Sequence, residues 1–344
     1  MADQVAGFSP KQFQLAFAAE KDGIGGGEST SGDYKFINID SIEMPSLNPN
    51  QVLDVRHGVG RTLKQVDMFL SNKLTVKEIN FSGIADNTTL PMLLSNITGV
   101  ADASGDLTFN IQSQYAGVDL DFGGSVSNNT KTFAVIVTTP TSNNQMLFKG
   151  CVLTSLSISA DMAEESGRFK VSGTFKSGCI PTLNDTSIDP SGTSHFNSNY
   201  FITDYGDSNT SGAATVIAGL TSPVLKSFNL TIENDAVFTG YDANGNYQQI
   251  HRAIPEVSVL FDAVVKYDSE TEVLARNFEI QSTSTVANTL TARDTAPALD
   301  ISVPKAILTD VSFSEDDAMF VSVSTKAVAS ATGTDDLVSV NVQV

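Results

Sequence analysis

A mainly β fold, made as two tandem copies, is what this sequence predicts. Short runs alternate apolar and polar residues with period two and stop at Asn, Asp, Gly, Ser or Pro, the signature of strands with one buried face. Helical periodicity is sparse. Three segments of the first half return in the same order in the second, as a duplicated unit requires. The 344 residues suit two domains of ordinary size. With 41% hydrophobic and 17% charged residues, the chain has enough apolar material for a core.

The elements follow in chain order. Residues 1–33 hold a short apolar stretch, Gln12 to Glu20, then the run Gly25 to Gly27 and the polar segment Glu28 to Asp33. This composition predicts an arm or linker with little packing of its own, either a frayed terminus or an arm that orders on docking with a neighbour. From Tyr34 onward, Phe36–Ile42, Leu74–Ile84, Leu107–Ile111 and Phe133–Val137 alternate as strands do. The clearest run is Cys151–Ser159, with Val152, Thr154, Leu156 and Ile158 predicted on one face and Ser155, Ser157 and Ser159 on the other. After a polar turn the chain returns with Phe169, Val171, Gly173 and Phe175 alternating with Lys170, Ser172, Thr174 and Lys176. This is a β-hairpin with one apolar face. Short helices are predicted at Leu63–Ser71, Leu90–Ile97 and Glu272–Phe278.

The repeat pairs Cys151–Ser159 with Ala306–Ser314 without a gap, matching Val152 to Ile307, Leu156 to Val311 and Ile158 to Phe313. Val171–Lys176 matches Val321–Lys326. Upstream, Ile79, Phe81 and Gly83 match Val259, Phe261 and Ala263, and Leu93-Leu94 matches Val273-Leu274. Both copies read strand, short helix, loop, final hairpin. The predicted organisation is an arm over 1–33, a first β domain over 34–180, a linker over 181–218 and a second β domain over 219–344.

Charge and motifs then exclude functions. Lys and Arg number 20 against 39 Asp and Glu, for a net charge of -19, so a broad basic surface for nucleic acid or anionic lipid is ruled out. No apolar run reaches the roughly 20 residues that a helical membrane span needs, and no secretory signal is read at the start. Cys151 and Cys179 flank the hairpin, where antiparallel pairing brings them close; without export, two reduced thiols are expected. His57, His195 and His251 form no zinc motif and read as turn or surface residues. The glycine cluster Gly23–Gly27 lacks the Lys of a phosphate loop. Tyr241–Asn246 spaces Asp and Asn as calcium loops do, but lacks the closing Glu and reads equally as a hairpin turn. No catalytic constellation, metal or cofactor is predicted, and the protein is read as no enzyme.

The hairpin carries a family resemblance. Phe148-Lys149-Gly150-Cys151-Val152-Leu153-Thr154-Ser155-Leu156-Ser157-Ile158-Ser159, followed by the return strand Gly167–Gly178, resembles the tail tube proteins of long-tailed bacteriophages. So do the strand Val224–Asp235, the Pro-containing strand Ile301–Ala306 and the opening Gln14–Glu20. The resemblance implies a β-sandwich with long hairpins and a flanking helix, whose hairpins join those of neighbouring subunits in a closed β-barrel around a channel. Rings would stack into the hollow tail tube that conducts phage DNA, with Ser155, Ser157, Ser159, Asp310, Ser312 and Ser314 as lumen-facing positions. An acidic conduit suits DNA that must slide without sticking. The implied partners are further copies of the chain, the tape-measure and tail-terminator proteins and DNA passing non-specifically. The implied place is the virion tail, assembled in the host cytoplasm. Two copies of the fold per chain favour trimeric over hexameric rings. A surface or capsid-decorating β-sandwich adhesin is the alternative. A carbohydrate-active sandwich is disfavoured by the absence of Trp.

Overall fold

The computed structural model describes residues 13–20, 24–25, 33–45, 51–53, 68–70, 76–98, 107–112, 132–138, 145–183, 200, 215–221, 223–241, 247–252, 257–280, 285–292, 299–314, 320–329 and 336–342. The alternating sequence folds as strands almost throughout. The first half gives β1 (Gln14–Ala19), β2 (Lys35–Ile37), β3 (Ile39–Glu43), β4 (Gln51–Leu53), β5 (Met68–Leu70), β6 (Lys77–Ile84), α1 (Thr89–Thr98), β7 (Leu107–Gln112), β8 (Phe133–Thr138), β9 (Met146–Asp161), β10 (Lys170–Ser177) and β11 (Thr182–Leu183). The second gives β12 (Leu225–Glu233), β13 (Ala236–Tyr241), β14 (Tyr247–Arg252), β15 (Ser258–Lys266), α2 (Ser269–Glu279), β16 (Val286–Ala292), β17 (Leu299–Ser314), β18 (Phe320–Ala327) and β19 (Asp336–Val342).

Eight strands form a central antiparallel run in the order β3-β6-β10-β9-β12-β15-β18-β17, the first four from one half and the last four from the other. The 16-residue strands β9 and β17 extend beyond this run at their N-terminal ends. There β9 pairs with β8, which leads to β1 and β2, while β17 pairs with β16 and with β19, which leads to β7. Strand β7, from the first half, therefore completes a ladder in the second. The hairpins β4–β5 and β13–β14 stand apart from the main sheet.

The sheet is open, which corrects the β-barrel expectation: it neither closes nor curls, and no ladder joins β3 to β17 among the described residues. The strand order gives the reason. Each half repeats one order of four strands, so the last strand of the first half, β9, meets the first strand of the second, β12, and not β3 of its own half.

The duplication is written in the ladders. Three irregularities recur at matching places: β9 skips Thr154 against β10 as β17 skips Thr309 against β18. Asp40 is skipped between β3 and β6 as Lys226 is between β12 and β15. The jump from Phe133↔Cys151 to Val135↔Phe148 has its twin in Val286↔Ala306 to Asn288↔Val303. Bulges bend and re-aim a strand, so chance recurrence of three is a poor account. The same ladders correct one sequence match. Gly173 pairs with Phe81 whereas Val323 pairs with Ala263, so Phe81 corresponds to Ala263 and Ile79 to Phe261, two residues from the alignment read in sequence. A two-residue shift keeps every side chain on its face, which is why alternation alone did not expose it.

The core lies on the apolar face. Phe17 and Phe133 stack at 5.9 Å and pack on Phe175, which stacks on Phe81 at 5.4 Å. Phe228 meets Phe169 edge-on at 4.9 Å and Phe261 at 6.1 Å, tying the halves together. Helix α1 is buried from Thr89 to Ile97, and Asp86 Oδ1 caps it by accepting the Thr88 and Thr89 N–H groups. Helix α2 opens with a capping box between Asp268 and Thr271. The helix predicted at Leu63–Ser71 is not formed: Met68–Leu70 is β5, paired with Gln51–Leu53, and the rest lies outside the described residues. Part of the expected arm is strand β1, with Leu15 to Ala18 fully buried between β2 and β8.

Candidate assembly surface

The serines singled out by sequence fall where alternation puts them. Ser155, Ser157 and Ser159 pair with Thr174, Ser172 and Lys170 on one side and with Glu233, Thr231 and Asn229 on the other. Asp310 and Ser312 pair with Ser324 and Ser322 in the second half, and Ser314 ends β17 opposite Phe320. Following these pairs outward gives one polar face across all eight strands. Ser41 and Ser82 hydroxyls lie 2.7 Å apart, Asn80 donates to Glu43 at 3.0 Å, and Thr174 donates to Asn80 at 2.8 Å. Ser157 is hydrogen-bonded to Asn229 across the junction of the halves. The two sets are on the same face, but their settings differ: Ser155, Ser157 and Ser159 are half-buried between neighbours, while Asp310 and Ser312 are exposed.

The bulge at Thr154 alters one expected face. It places Leu153, opposite Phe175, with Leu156 and Ile158, and turns Val152 to the side of Lys176. There Val152 is fully buried against Ala236 and Ile250 of the β13–β14 hairpin. A hairpin of the second half thus covers the first. Asn234 fastens the same junction. Its N–H donates to Thr154 O at 3.0 Å, and its side-chain amide donates to Ile97 O at the end of α1, 2.8 Å away. Asn96 Oδ1 accepts the Leu153 N–H at 2.6 Å beside the bulge.

The matching positions of the second half are bare. Val152 and Ile158 are fully buried, whereas their equivalents Ile307 and Phe313 are 44% and 53% exposed. Phe313 has only its edge contact with Tyr267, at 5.8 Å, among ring contacts of the described residues. A groove of about 1050 Å³ opens beside α2, lined by Leu220, Val273, Leu274, Val286, Ile307 and Leu308. Sequence reasoning matched Ile307 to Val152 and Phe313 to Ile158; the pattern is identical and only the covering differs.

One buried carboxyl was not singled out by sequence. Glu20, just after β1, accepts the Gly25 N–H at 3.0 Å, the Gly150 N–H at 2.8 Å and the Thr132 hydroxyl at 2.6 Å. Burial pushes its pKa up to about 7, against the opposing pull of those hydrogen bonds and of Lys149. Gly150 has φ +60°, and a Cβ there would lie 2.9 Å from Cys179 Sγ and from Ile24, so this close approach requires glycine. Cys151 and Cys179 are buried and form no disulfide, and desolvation holds the Cys151 pKa well above its ordinary value.

Among the described residues no group of three or more His, Cys, Asp or Glu is arranged to hold a metal. The calcium-like Asp242–Asn246 segment, His57 and His195 lie outside the described residues, as does the side chain of His251. No helix of the described residues is long and apolar enough to cross a membrane. Comparison with protein-family models and with curated proteins finds no match.

Proposed function

We propose that this chain is a structural, self-assembling protein of the tail tube type, whose rings stack into a hollow phage tail tube that conducts DNA. The observation that carries the reading is the duplicated unit with its uneven covering. The first half is capped by the second, and the second presents the same surface uncapped. A chain built so adds copies head to tail, and such heterologous contacts give rings where the rotation closes. Two units per chain make three chains the natural ring for a sixfold arrangement of units. The sequence resemblance at Phe148–Ser159 supports the same reading, as does the polar face. On it Glu43, Glu78, Asp161, Glu233, Asp262 and Asp310 face four lysines, Lys170, Lys176, Lys266 and Lys326, among many hydroxyls and amides. Such a face has no clustered cations to hold phosphates. Tape-measure and terminator proteins are the partners this role calls for, and the virion tail is its place.

Electron microscopy of the concentrated protein, with rotational averaging of end-on views, tests the proposal. Rings or tubes of threefold or pseudo-sixfold symmetry are expected. Particles that stay single chains under conditions that polymerise tube proteins would refute it.

A further inference from the structure

We propose that a calcium ion binds on the polar face of the β16–β17–β19–β7 ladder, held by side-chain oxygens of Thr291, Asp300 and Asn341 with Asn110 beside them. The site goes beyond the assembly reading and does not depend on it. The strand pairing brings these residues together. Thr291 lies directly opposite Asp300, and Asp300 directly opposite Asn341, so the three form one row across three strands. Directly opposed residues of antiparallel strands have Cα atoms only about 4.5–5.5 Å apart. Asn110 pairs with Ser339, which puts it diagonal to Asn341, close enough for one bridging water. Thr289, Ser302 and Ser339 make the next row of the same face.

These oxygens lack donors. Thr291 Oγ1, Asp300 Oδ1, Asn341 Oδ1 and Asn110 Oδ1 are shielded from solvent and have no hydrogen-bond partner. Thr291 is only 2% exposed, and no Lys or Arg of the described residues pairs with Asp300. Buried polar atoms nearly always meet a partner in the protein, in water or in an ion. Nor does the fold demand polar residues here. Ser302 and Thr289 are the twins of Leu147 and Ile136, which pack in an apolar cluster with Ala16, Ala18, Tyr34 and Ala134. The second half thus carries oxygen atoms where the first carries hydrocarbon. One carboxylate with amide and hydroxyl oxygens, and no His or Cys among them, is a ligand set for a hard cation. Calcium accepts an irregular shell of roughly 6–8 oxygens, water included, whereas magnesium demands a near-ideal octahedron and gives up water reluctantly. A single carboxylate sets the affinity in the weak range, about 0.1–1 mM. Asn110 belongs to the first half, so the ion would fasten β7 to the ladder of the second.

Calcium chloride titrated into the full chain tests the site, followed by isothermal calorimetry and by thermal unfolding at constant ionic strength. A saturable calcium isotherm is expected, with a melting temperature that rises with calcium as binding to the native state requires. Magnesium chloride at the same ionic strength should raise it far less. Asp300→Asn keeps the shape and removes the charge, and should abolish both responses. Asn341→Ala should weaken binding at least roughly tenfold, as loss of a metal's supporting groups does. Glu279→Gln removes an exposed carboxylate at the end of α2 and should bind calcium as the unaltered chain does. That comparison separates the site from diffuse attraction of calcium to a chain of net charge -19. Equal stabilisation by magnesium, or an undiminished calcium response in Asp300→Asn, would overturn the proposal in favour of such diffuse attraction. An unaltered chain that does not respond to calcium would overturn it and assign the oxygen row to bound water alone.

Discussion

Glu20 shows how one residue fixes the edge of the fold to its interior. It joins the end of β1, the Gly25 turn and the Gly150 bend of β9 through three donors, all of which favour the ionised form. Burial outweighs them, and its pKa stands at about 7 in the folded chain. A carboxyl raised on folding binds its proton more tightly in the native state than in the unfolded one. Stability is therefore greatest below the unfolded pKa and declines as pH rises towards 7, with a loss of roughly 3 kcal/mol for a shift of this size. Urea denaturation between pH 4.5 and 8 should show that decline, and Glu20→Gln should flatten it. Lys149 and the Cys151 thiol lie near it, and burial holds the Cys151 thiol well above its ordinary pKa. A slope that persists unchanged in the Gln variant would place the proton elsewhere. Sequence reading passed over this residue because an isolated Glu beside a glycine run is the ordinary picture of a solvated loop.

At the scale of elements, α1 and the β12–β13 corner act as one clasp. The last carbonyls of any helix lack partners within it, and Ile97 O finds one in the Asn234 amide of the other half. Asn234→Ala should cost about 1–3 kcal/mol, the penalty for a buried acceptor left unmet, read as a lower urea midpoint at unchanged slope. An unchanged midpoint would mean that water reaches the end of α1. Elements of this kind were legible to differing degrees. The β9–β10 hairpin and α2 follow from local pattern because each has one covered face and one open face, and α1 follows from its apolar run although it is buried on every side. Strand β1 was hidden because Leu15 to Ala18 are covered on both faces, which erases alternation, and the glycines beside it read as linker. The helix expected at Leu63–Ser71 yields, at Met68–Leu70, to pairing with a strand fifteen or more residues upstream, a tertiary choice that local spacing does not encode. The bulges at Asp40, Thr154 and Thr309 left no mark in composition, and with them went the true face of Val152. The candidate surface was half legible: the polar positions were, and the bare apolar ones were not, since β9 and β17 carry one pattern under two different coverings.

Taken whole, the molecule carries like charge at both ends of its eight-strand run. Its net charge is -19, and carboxylates stand at both free edges, Asp40 and Glu43 on β3 and Asp310 on β17. Exposed edges of long strands invite indiscriminate pairing, and charge along them is a common guard. Covering the exposed Ile307 and Phe313 with a second copy is an apolar contact that salt leaves nearly untouched, whereas the repulsion between acidic chains is long-ranged. The screening length falls from about 30 Å at 0.01 M salt to about 8 Å at 0.15 M. Association should therefore speed up over this range, by roughly tenfold or more on the scale that charge steering reaches. Light scattering after a salt jump measures it. Association that slows with added salt would mean that the edges meet through opposite charges, and the lysines of the polar face would then be the cations to replace.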